Sequence, residues 1–183
     1  SLMLGLCLMM AGATAQAFPQ EEDARSYYQS HWNKSVRLLT RDSADFIGLP
    51  YPYSTPTLAG NMMFQEMYYW DTYFINRGLI AYGSHPQREG ESTANEKMAL
   101  TQALNNVNNL IYLVNKLGYV PNANRYSMTN RSQPPLLGAM INDIFGITKD
   151  TAWLRQALLA LEKEHQWRSE EHTSELQSHH DLV

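Results

Sequence analysis

Apolar residues in the middle of the chain recur at three- and four-residue spacing, which is typical of an amphipathic helix. The clearest case is residues 92–117, and Gly118 directly after them predicts the end of this helix. The apolar stripe consists of Leu100, Ala103, Leu104, Val107, Leu110, Ile111, Val114 and Leu117. The opposite, polar side carries Gln102, Asn105, Asn106 and Asn109.

Weaker periodic patterns predict four more helices. Residues 21–41 have an aromatic and aliphatic side and acidic residues near their N-terminus, where negative charge favours the helix dipole. Residues 71–82 and 150–167 are also predicted helices, and another begins near Pro134 and Pro135, since proline is tolerated in a first turn. No sustained two-residue alternation is present, so the sequence predicts an all-α fold.

The segments between these helices are polar and irregular. Residues 48–62 contain three prolines and two glycines, which predicts an ordered loop, and residues 119–131 predict a second loop. Long successive helices with ligand-type residues in their connections are typical of a helical-hairpin toroid or solenoid. The sequence contains no internal repeat that would support this arrangement independently.

The start of the chain is typical of a secretory signal peptide. Residues 2–10 form an apolar run that is too short to span a membrane, and an Ala-Gln-Ala cleavage pattern follows at residues 15–17. We therefore expect residues 1–17 to be a signal peptide, truncated at its start because no initiator methionine is present. The alternative is a short buried helix. Cleavage removes Cys7, the only cysteine, so a periplasmic or secreted location is expected.

The end of the chain has a different character. Residues 168–178, RSEEHTSELQS, resemble the translated read-through of a sequencing adapter, so we expect residues 168–183 to be a non-native tail after a domain at 18–167. The alternative is a natural, polar, disordered tail. This tail carries most of the formal net charge of −4 and half of the six histidines. No basic stripe predicts nucleic-acid binding, and nothing in the tail predicts a metal site.

Two polar and aromatic segments carry the candidate chemistry. The first is FQEMYYWDTYF at residues 64–74, and the second is PNANRYSMTNRSQPP at residues 121–135. Aromatic rings offer flat surfaces for stacking, and amide and guanidinium groups offer fixed hydrogen-bond donors and acceptors. This combination predicts a neutral ligand with many hydroxyl groups, bound by loops on a rigid scaffold.

Each segment also has a structural interpretation. From spacing alone, Trp70 is more simply a core residue and Asp71 an N-cap than a pair that binds a sugar. For Arg125 we favour a structural role, satisfying loop backbone or pairing with Glu66 or Asp143. For Arg131, Ser132 and Gln133 the structural and the ligand-binding interpretations are equally open before any resemblance is considered.

Both segments resemble the signature sequences of the trehalases, glycoside hydrolase family 37. The tyrosine pair followed by WD-x-Y appears here as YYWDTYF, and PN-x-NR followed by RSQPP appears as PNANR and, six residues on, RSQPP. The resemblance covers residues 49–167. It implies an (α/α)6 toroid, of which this chain holds an incomplete N-terminal part. It also implies that the sugar pocket is lined by Trp70, Asp71, Asn122, Arg131, Ser132 and Gln133.

The resemblance further implies an inverting hydrolysis of trehalose to glucose in the full-length enzyme. Such a reaction needs an acid and a base about 6.5–9.5 Å apart. In the family these are an Asp and a Glu that lie beyond the end of this chain, so we assign no catalytic residue here and expect the fragment alone to be inactive. The implied partner is a small sugar, with a monomeric protein, no cofactor and no membrane span.

The chain departs from the family pattern beside the first segment. Met63 stands where the family has a sugar-binding arginine, and Gln65 replaces a second common arginine. Methionine cannot donate a hydrogen bond to a hydroxyl group, so one sugar contact is missing. This leaves open an enzyme of the same fold acting on another α-linked oligosaccharide. A non-catalytic sugar-binding helical protein is the hypothesis from a different class, and a partial toroid with unpaired apolar faces and no function is a further one.

Overall fold

The structure of the chain is a computed structural model, and it describes residues 19–61, 63–84 and 93–180. The chain divides into two compact units, Ser1–His31 and Trp32–Val183. Among the described residues, no helix is long and apolar enough to cross a lipid bilayer.

The described part of the first unit is helix α1, at Pro19–His31. Near its end the rings of Tyr27 and His31 stack, with centroids 4.1 Å apart. Because α1 ends at His31, the prediction of one continuous helix over residues 21–41 is wrong beyond that residue. The predicted signal peptide, residues 1–17, lies outside the described residues.

The second unit is mostly helical over its described residues, which confirms the all-α prediction. Its elements are a 3-10 helix at Trp32–Ser35, β1 at Val36–Arg37, β2 at Tyr53–Ser54, α2 at Tyr69–Ser84, α3 at Ala94–Leu117, a 3-10 helix at Tyr126–Met128, α4 at Leu137–Thr148 and α5 at Thr151–His180.

The residues that follow His31 do not continue the helix but contact distant parts of the second unit. The buried indole of Trp32 donates its N–H to Asn95 Oδ1 at 3.1 Å. Val36 then pairs with Ser54 in the antiparallel β1–β2 ladder. Because each strand has only two residues, the ladder is too short to produce a two-residue alternation in the sequence.

Helix α3 lies at the centre of the second unit and contacts α2, α4, α5 and β2. It begins at Thr93, whose hydroxyl accepts a hydrogen bond from the Glu96 N–H while the Glu96 carboxylate accepts one from the Thr93 N–H. It ends at Gly118, which adopts the left-handed conformation with φ 91°. The predicted end is confirmed, because glycine reaches this conformation without a steric penalty.

The polar side of α3 is buried, which the sequence pattern did not predict. Asn109 accepts a hydrogen bond from the Tyr51 N–H at 3.1 Å and donates to the Tyr51 carbonyl at 3.0 Å. Gln102 donates to the carbonyl of Pro52 at 3.1 Å. The amides thus satisfy the backbone of an irregular loop, which lacks the ladder that a sheet would provide.

The starts of the two later helices differ from the prediction by one to three residues, and the end of the last helix differs by more. Helix α4 begins at Leu137, two residues after Pro135, and its C-cap is Lys149. Helix α5 continues to His180, so its predicted end at residue 167 is wrong. Residues 168–180 contain several strong helix formers and no proline or glycine that would stop the helix.

The close approach of α2 and α3 depends on Gly83. A Cβ atom at this buried position would lie 2.5 Å from Leu100 Cγ and 2.8 Å from the Glu96 carbonyl oxygen. Gly83→Ala is expected to lower the free energy of unfolding by about 1–3 kcal/mol, the usual cost of overpacking. The gain in helix propensity, about 1 kcal/mol, does not offset it because backbone atoms cannot move aside. Urea denaturation measures the difference.

Gly146 in α4 provides the matched control. It is exposed, and a Cβ there would meet nothing within 4 Å. Gly146→Ala is therefore expected to raise the free energy of unfolding, by up to about 1 kcal/mol. Equal effects of the two substitutions would contradict the steric argument for Gly83.

Candidate functional site

The two polar and aromatic segments lie side by side in the structure. Tyr68 and Ala123 form an isolated antiparallel bridge. The Tyr69 N–H donates to the Asn122 carbonyl at 3.2 Å. We call residues 64–74 the first loop and residues 121–135 the second loop, although α2 already begins at Tyr69 within the first. The Tyr68–Ala123 bridge and the Tyr69–Asn122 hydrogen bond align the backbones of the two loops with each other.

Asn124 is the structural centre of this pairing. It is fully buried, and its Oδ1 accepts a hydrogen bond from the Met67 N–H at 2.8 Å. Its Nδ2 donates to the Ile47 carbonyl at 2.9 Å, and its own carbonyl accepts from the Ile47 N–H at 2.8 Å. Its side chain is thus committed to holding both loops against a third segment.

Trp70 is an exposed residue and not a core residue, so the interpretation from spacing alone is wrong. Its side chain is 44% exposed, and its ring meets Phe74 edge-on with centroids 6.3 Å apart. Its backbone N–H donates to Gln133 Oε1 at 2.9 Å. The backbone of Trp70 is therefore tied to the Gln133 amide of the second loop, while its indole ring remains accessible.

Asp71 lies in the first turn of α2 and is half-buried. Because the helix begins at Tyr69, Asp71 lies inside the first turn and is not the N-cap residue. Burial raises the pKa of Asp71, while hydrogen bonds with its own backbone N–H and with the Trp70 side chain act in the opposite direction. The carboxylate is favourably placed at the positive end of the helix dipole.

Asn122 and Arg131 are fixed through their backbones, while their side chains have only weak contacts. The Asn122 N–H donates to the Arg131 carbonyl at 2.8 Å. The Asn122 amide approaches the sulfur of Met128 at 3.7 Å, and the exposed Arg131 guanidinium approaches Asn130 Oδ1 at 3.4 Å. An amide and a guanidinium held in this way can exchange these contacts for hydrogen bonds to a ligand.

Ser132 is part of the same site, but its hydroxyl is already engaged. The hydroxyl donates its proton to the Val120 carbonyl at 2.6 Å and accepts a hydrogen bond from Arg168 Nη2 at 2.8 Å. Arg168 Nη2 also lies 2.8 Å from the Gln133 carbonyl. The structure thus brings all six predicted site residues together, with Ser132 holding the second loop in place.

Sequence reasoning missed a buried polar cluster behind these residues. The Tyr69 hydroxyl donates to the Glu164 carboxylate, 2.9 and 3.0 Å from its two oxygens, and accepts from the Leu137 N–H at 2.9 Å. Burial raises the pKa of Tyr69, and the Glu164 charge raises it further. A signal for Glu164 was present, since it follows the buried Ala157 and Ala160 at helical spacing on α5.

No group of three or more His, Cys, Asp or Glu side chains in the described ranges is arranged to hold a metal ion. The groups that the six predicted site residues offer are instead an indole, a carboxylate, amides, a hydroxyl and a guanidinium. These bind hydroxyl groups by hydrogen bonds and a sugar face by stacking.

Comparison with known proteins specifies the family. The sequence model of the trehalase family matches residues 15–182, so the chain belongs to the trehalase family of glycoside hydrolases. The resemblance drawn from the two loops is thereby confirmed.

Similar curated proteins come from plants and bacteria. The probable trehalase of Oryza sativa subsp. japonica is 42% identical over 121 residues, which cover 66% of this chain and 19% of that protein. The trehalase of Arabidopsis thaliana is 37% identical over 154 residues, which cover 82% and 22%. The periplasmic trehalase of Xanthomonas campestris pv. campestris (strain 8004) is 32% identical over 151 residues, which cover 81% and 23%. The chain thus spans about a fifth of the length of these relatives.

Proposed function

We propose that this chain is the N-terminal part of an exported inverting glycosidase that, as a whole protein, hydrolyses trehalose to glucose. The observation that carries the proposal is the pairing of the two loops, in which the backbone N–H of the exposed Trp70 donates to Gln133 Oε1. The proposed whole enzyme is an (α/α)6 toroid, monomeric, and periplasmic or secreted. Within this chain, we propose that residues 1–17 are a signal peptide and that residues 168–183 are not native.

The site offers complementary groups to a neutral disaccharide. The exposed face of Trp70 can stack on the apolar face of a glucose ring, and the Asp71 carboxylate accepts hydrogen bonds from hydroxyl groups. Gln133 Oε1 is used by the Trp70 N–H, which leaves its amide nitrogen as a donor. Asn122 and Arg131 add an amide and a fork of donors. A sugar hydroxyl both donates and accepts hydrogen bonds, so these side chains can bind several hydroxyl groups of one sugar at the same time.

We assign the acid and base of the reaction to a later part of the whole protein. The carboxylates of Glu66 and Asp143 are occupied in ion pairs with Arg125 and Arg77. Asp71 alone does not supply the acid and base pair that inversion needs. We therefore propose that this chain contributes part of the sugar pocket and that the catalytic acid and base lie elsewhere in the whole protein.

The purified chain is expected to bind trehalose weakly and to release no glucose from it. Calorimetric titration measures the first property, and a coupled glucose assay measures the second. Trp70→Ala is expected to weaken binding at least about tenfold, because the exposed ring supplies the stacking surface. Leu159→Ala, at another exposed apolar position on α5, should leave the dissociation constant unchanged.

The outcomes separate the parts of this proposal. Glucose release by the purified chain would show that the assignment of the acid and base elsewhere is wrong. Equal trehalose binding by wild type and Trp70→Ala would show that the two loops are not the sugar site.

A second candidate function is the hydrolysis of another α-linked glucoside by the whole enzyme. Met63 favours it, since this side chain is exposed beside the first loop and offers no hydrogen-bond donor. Comparison of the whole protein's activity on trehalose, maltose and kojibiose distinguishes the two candidates.

A further inference from the structure

An ion pair between two residues that are not among the six predicted site residues joins the two loops. Arg125 in the second loop donates from Nε to Oε1 of Glu66 in the first loop. The other carboxylate oxygen, Oε2, accepts the hydroxyl of Tyr68 at 3.3 Å. Glu66 is only 4% exposed, so its charge depends on these two partners for compensation.

A third segment fixes the position of Arg125. Its guanidinium carbon lies 4.3 Å from the centroid of the Phe46 ring, a geometry that favours a cation–π interaction. Phe46 and Arg125 also form an isolated antiparallel bridge. The arginine is thus held by both its backbone and its side chain, and it presents Nε to Glu66 in a fixed direction.

The environment of this pair differs from that of Arg77 and Asp143, the ion pair between α2 and α4. Arg77 is more than half exposed, and its nitrogen lies 3.1 Å from Asp143. Exposed pairs of this kind contribute little, because water and salt screen them. A buried carboxylate that loses its partner is left uncompensated, so its surroundings must rearrange. Loss of the Glu66–Arg125 pair is therefore expected to disturb the loops, whereas loss of the Arg77–Asp143 pair is not.

The pair lies next to the backbone contacts that set the loop register. Glu66 precedes Met67 and Tyr68 in the first loop, and Arg125 follows Asn124 in the second loop. The same short stretch contains the Tyr68–Ala123 bridge and the hydrogen bond from the Tyr69 N–H to the Asn122 carbonyl. A shift of one loop along the other would separate Glu66 from Arg125.

We propose that Glu66 and Arg125 are positioning residues, whose ion pair locks the loop register that brings Trp70 beside Gln133. The inference rests on the proposed function, since it concerns the affinity of the sugar site. The two residues act through the loop backbones and do not touch the sugar. The effects of the two substitutions on trehalose affinity are therefore expected to be non-additive. Once one partner of the ion pair has been removed, removing the other should weaken binding little further.

A double-mutant cycle on the 183-residue chain tests the proposal. Glu66→Gln and Arg125→Gln are each expected to weaken trehalose binding about tenfold, within the range measured for coupled residues in contact. The double variant is expected to bind about as weakly as either single variant. Arg125→Lys, which keeps the charge but not the planar Nε geometry, should recover part of the affinity. Arg77→Gln and Asp143→Asn form the matched control cycle and should leave the dissociation constant unchanged.

Amide hydrogen exchange of Tyr69 and Asn122 provides the second measurement. Both Glu66 and Arg125 variants are expected to accelerate exchange at these amides at a temperature where circular dichroism shows the helices intact, and the control variants are not. If wild type binds trehalose and the Glu66 and Arg125 variants bind equally well, the positioning role is overturned while the sugar site stands. If wild type does not bind, the proposed function fails. The exchange rates then decide the positioning role alone, and unchanged rates overturn it.

Discussion

Asn106→Ala is expected to lower the free energy of unfolding by about 2–4 kcal/mol, because several buried polar groups lose their partners together. Asn106 is fully buried in α3. Its Oδ1 accepts hydrogen bonds from the Ser54 N–H and from Gln102 Nε2, both at 2.9 Å. Its Nδ2 donates to Asn76 Oδ1 at 2.9 Å and to Ser54 Oγ at 3.0 Å. One side chain thus connects β2, α2 and α3.

Chemical denaturation followed by circular dichroism measures this loss. Asn105→Ala is the matched control, since Asn105 is the neighbouring amide, is half-buried and makes none of these hydrogen bonds. Its replacement is expected to change the free energy of unfolding by less than about 0.5 kcal/mol. Similar losses for the two variants would show that helix propensity, rather than the buried network, determines the cost.

The burial of these amides explains where the prediction of the fold from sequence was successful and where it failed. The periodic apolar residues of α3 identified the helix and its end at Gly118, because spacing and a left-handed cap are local properties of the chain. The opposite side of α3 is polar, and polar faces are usually exposed. Here that side faces the loop before β2, and only the three-dimensional arrangement shows that the loop needs partners for its backbone.

The predicted ends of the first and last helices were also wrong. Trp32 and Val36 fit a helical pattern, yet the indole binds Asn95 and Val36 pairs with Ser54. Both partners are distant in sequence, so no local pattern contains this information. Helix α5 continues beyond residue 167 because nothing in the following residues stops it.

The candidate site was predictable in its composition and only partly in its geometry. The two signature segments identified Trp70, Asp71, Asn122 and Arg131 as a group, and the structure places them on adjacent loops. Spacing did not reveal that the Ser132 hydroxyl is engaged with Val120. Helical spacing on α5 places Glu164 on a buried side, but it did not reveal that the Tyr69 hydroxyl is the partner of this carboxylate.

The same distinction between composition and geometry applies to Met63. The backbone at this position is fixed, since the Met63 N–H donates to Asn61 Oδ1 and its carbonyl accepts from the Thr57 hydroxyl, both at 2.9 Å. The next residue, Phe64, adopts the left-handed region with φ 55°, which L-residues seldom occupy. The side chain at position 63 therefore leaves a well-defined point of the loop, and it is 63% exposed.

Met63→Arg is expected to tighten trehalose binding by the chain roughly tenfold, because it introduces a charged donor where the resemblance to the family implies a sugar-binding arginine. Since the methionine is exposed and its backbone is held by hydrogen bonds, an arginine fits without displacing packed neighbours. Calorimetric titration with trehalose, maltose and kojibiose measures the change for each sugar. A gain limited to trehalose indicates that the rest of the site is shaped for it.

Met98→Arg is the matched control, because Met98 is 56% exposed on α3 and lies in neither loop. It adds the same charge to the chain, so it should leave every dissociation constant unchanged if the gain at position 63 comes from a direct contact. A gain for maltose or kojibiose but not for trehalose would favour the second candidate function. An equal gain in both variants would mean that added positive charge, rather than a donor at the first loop, improves binding.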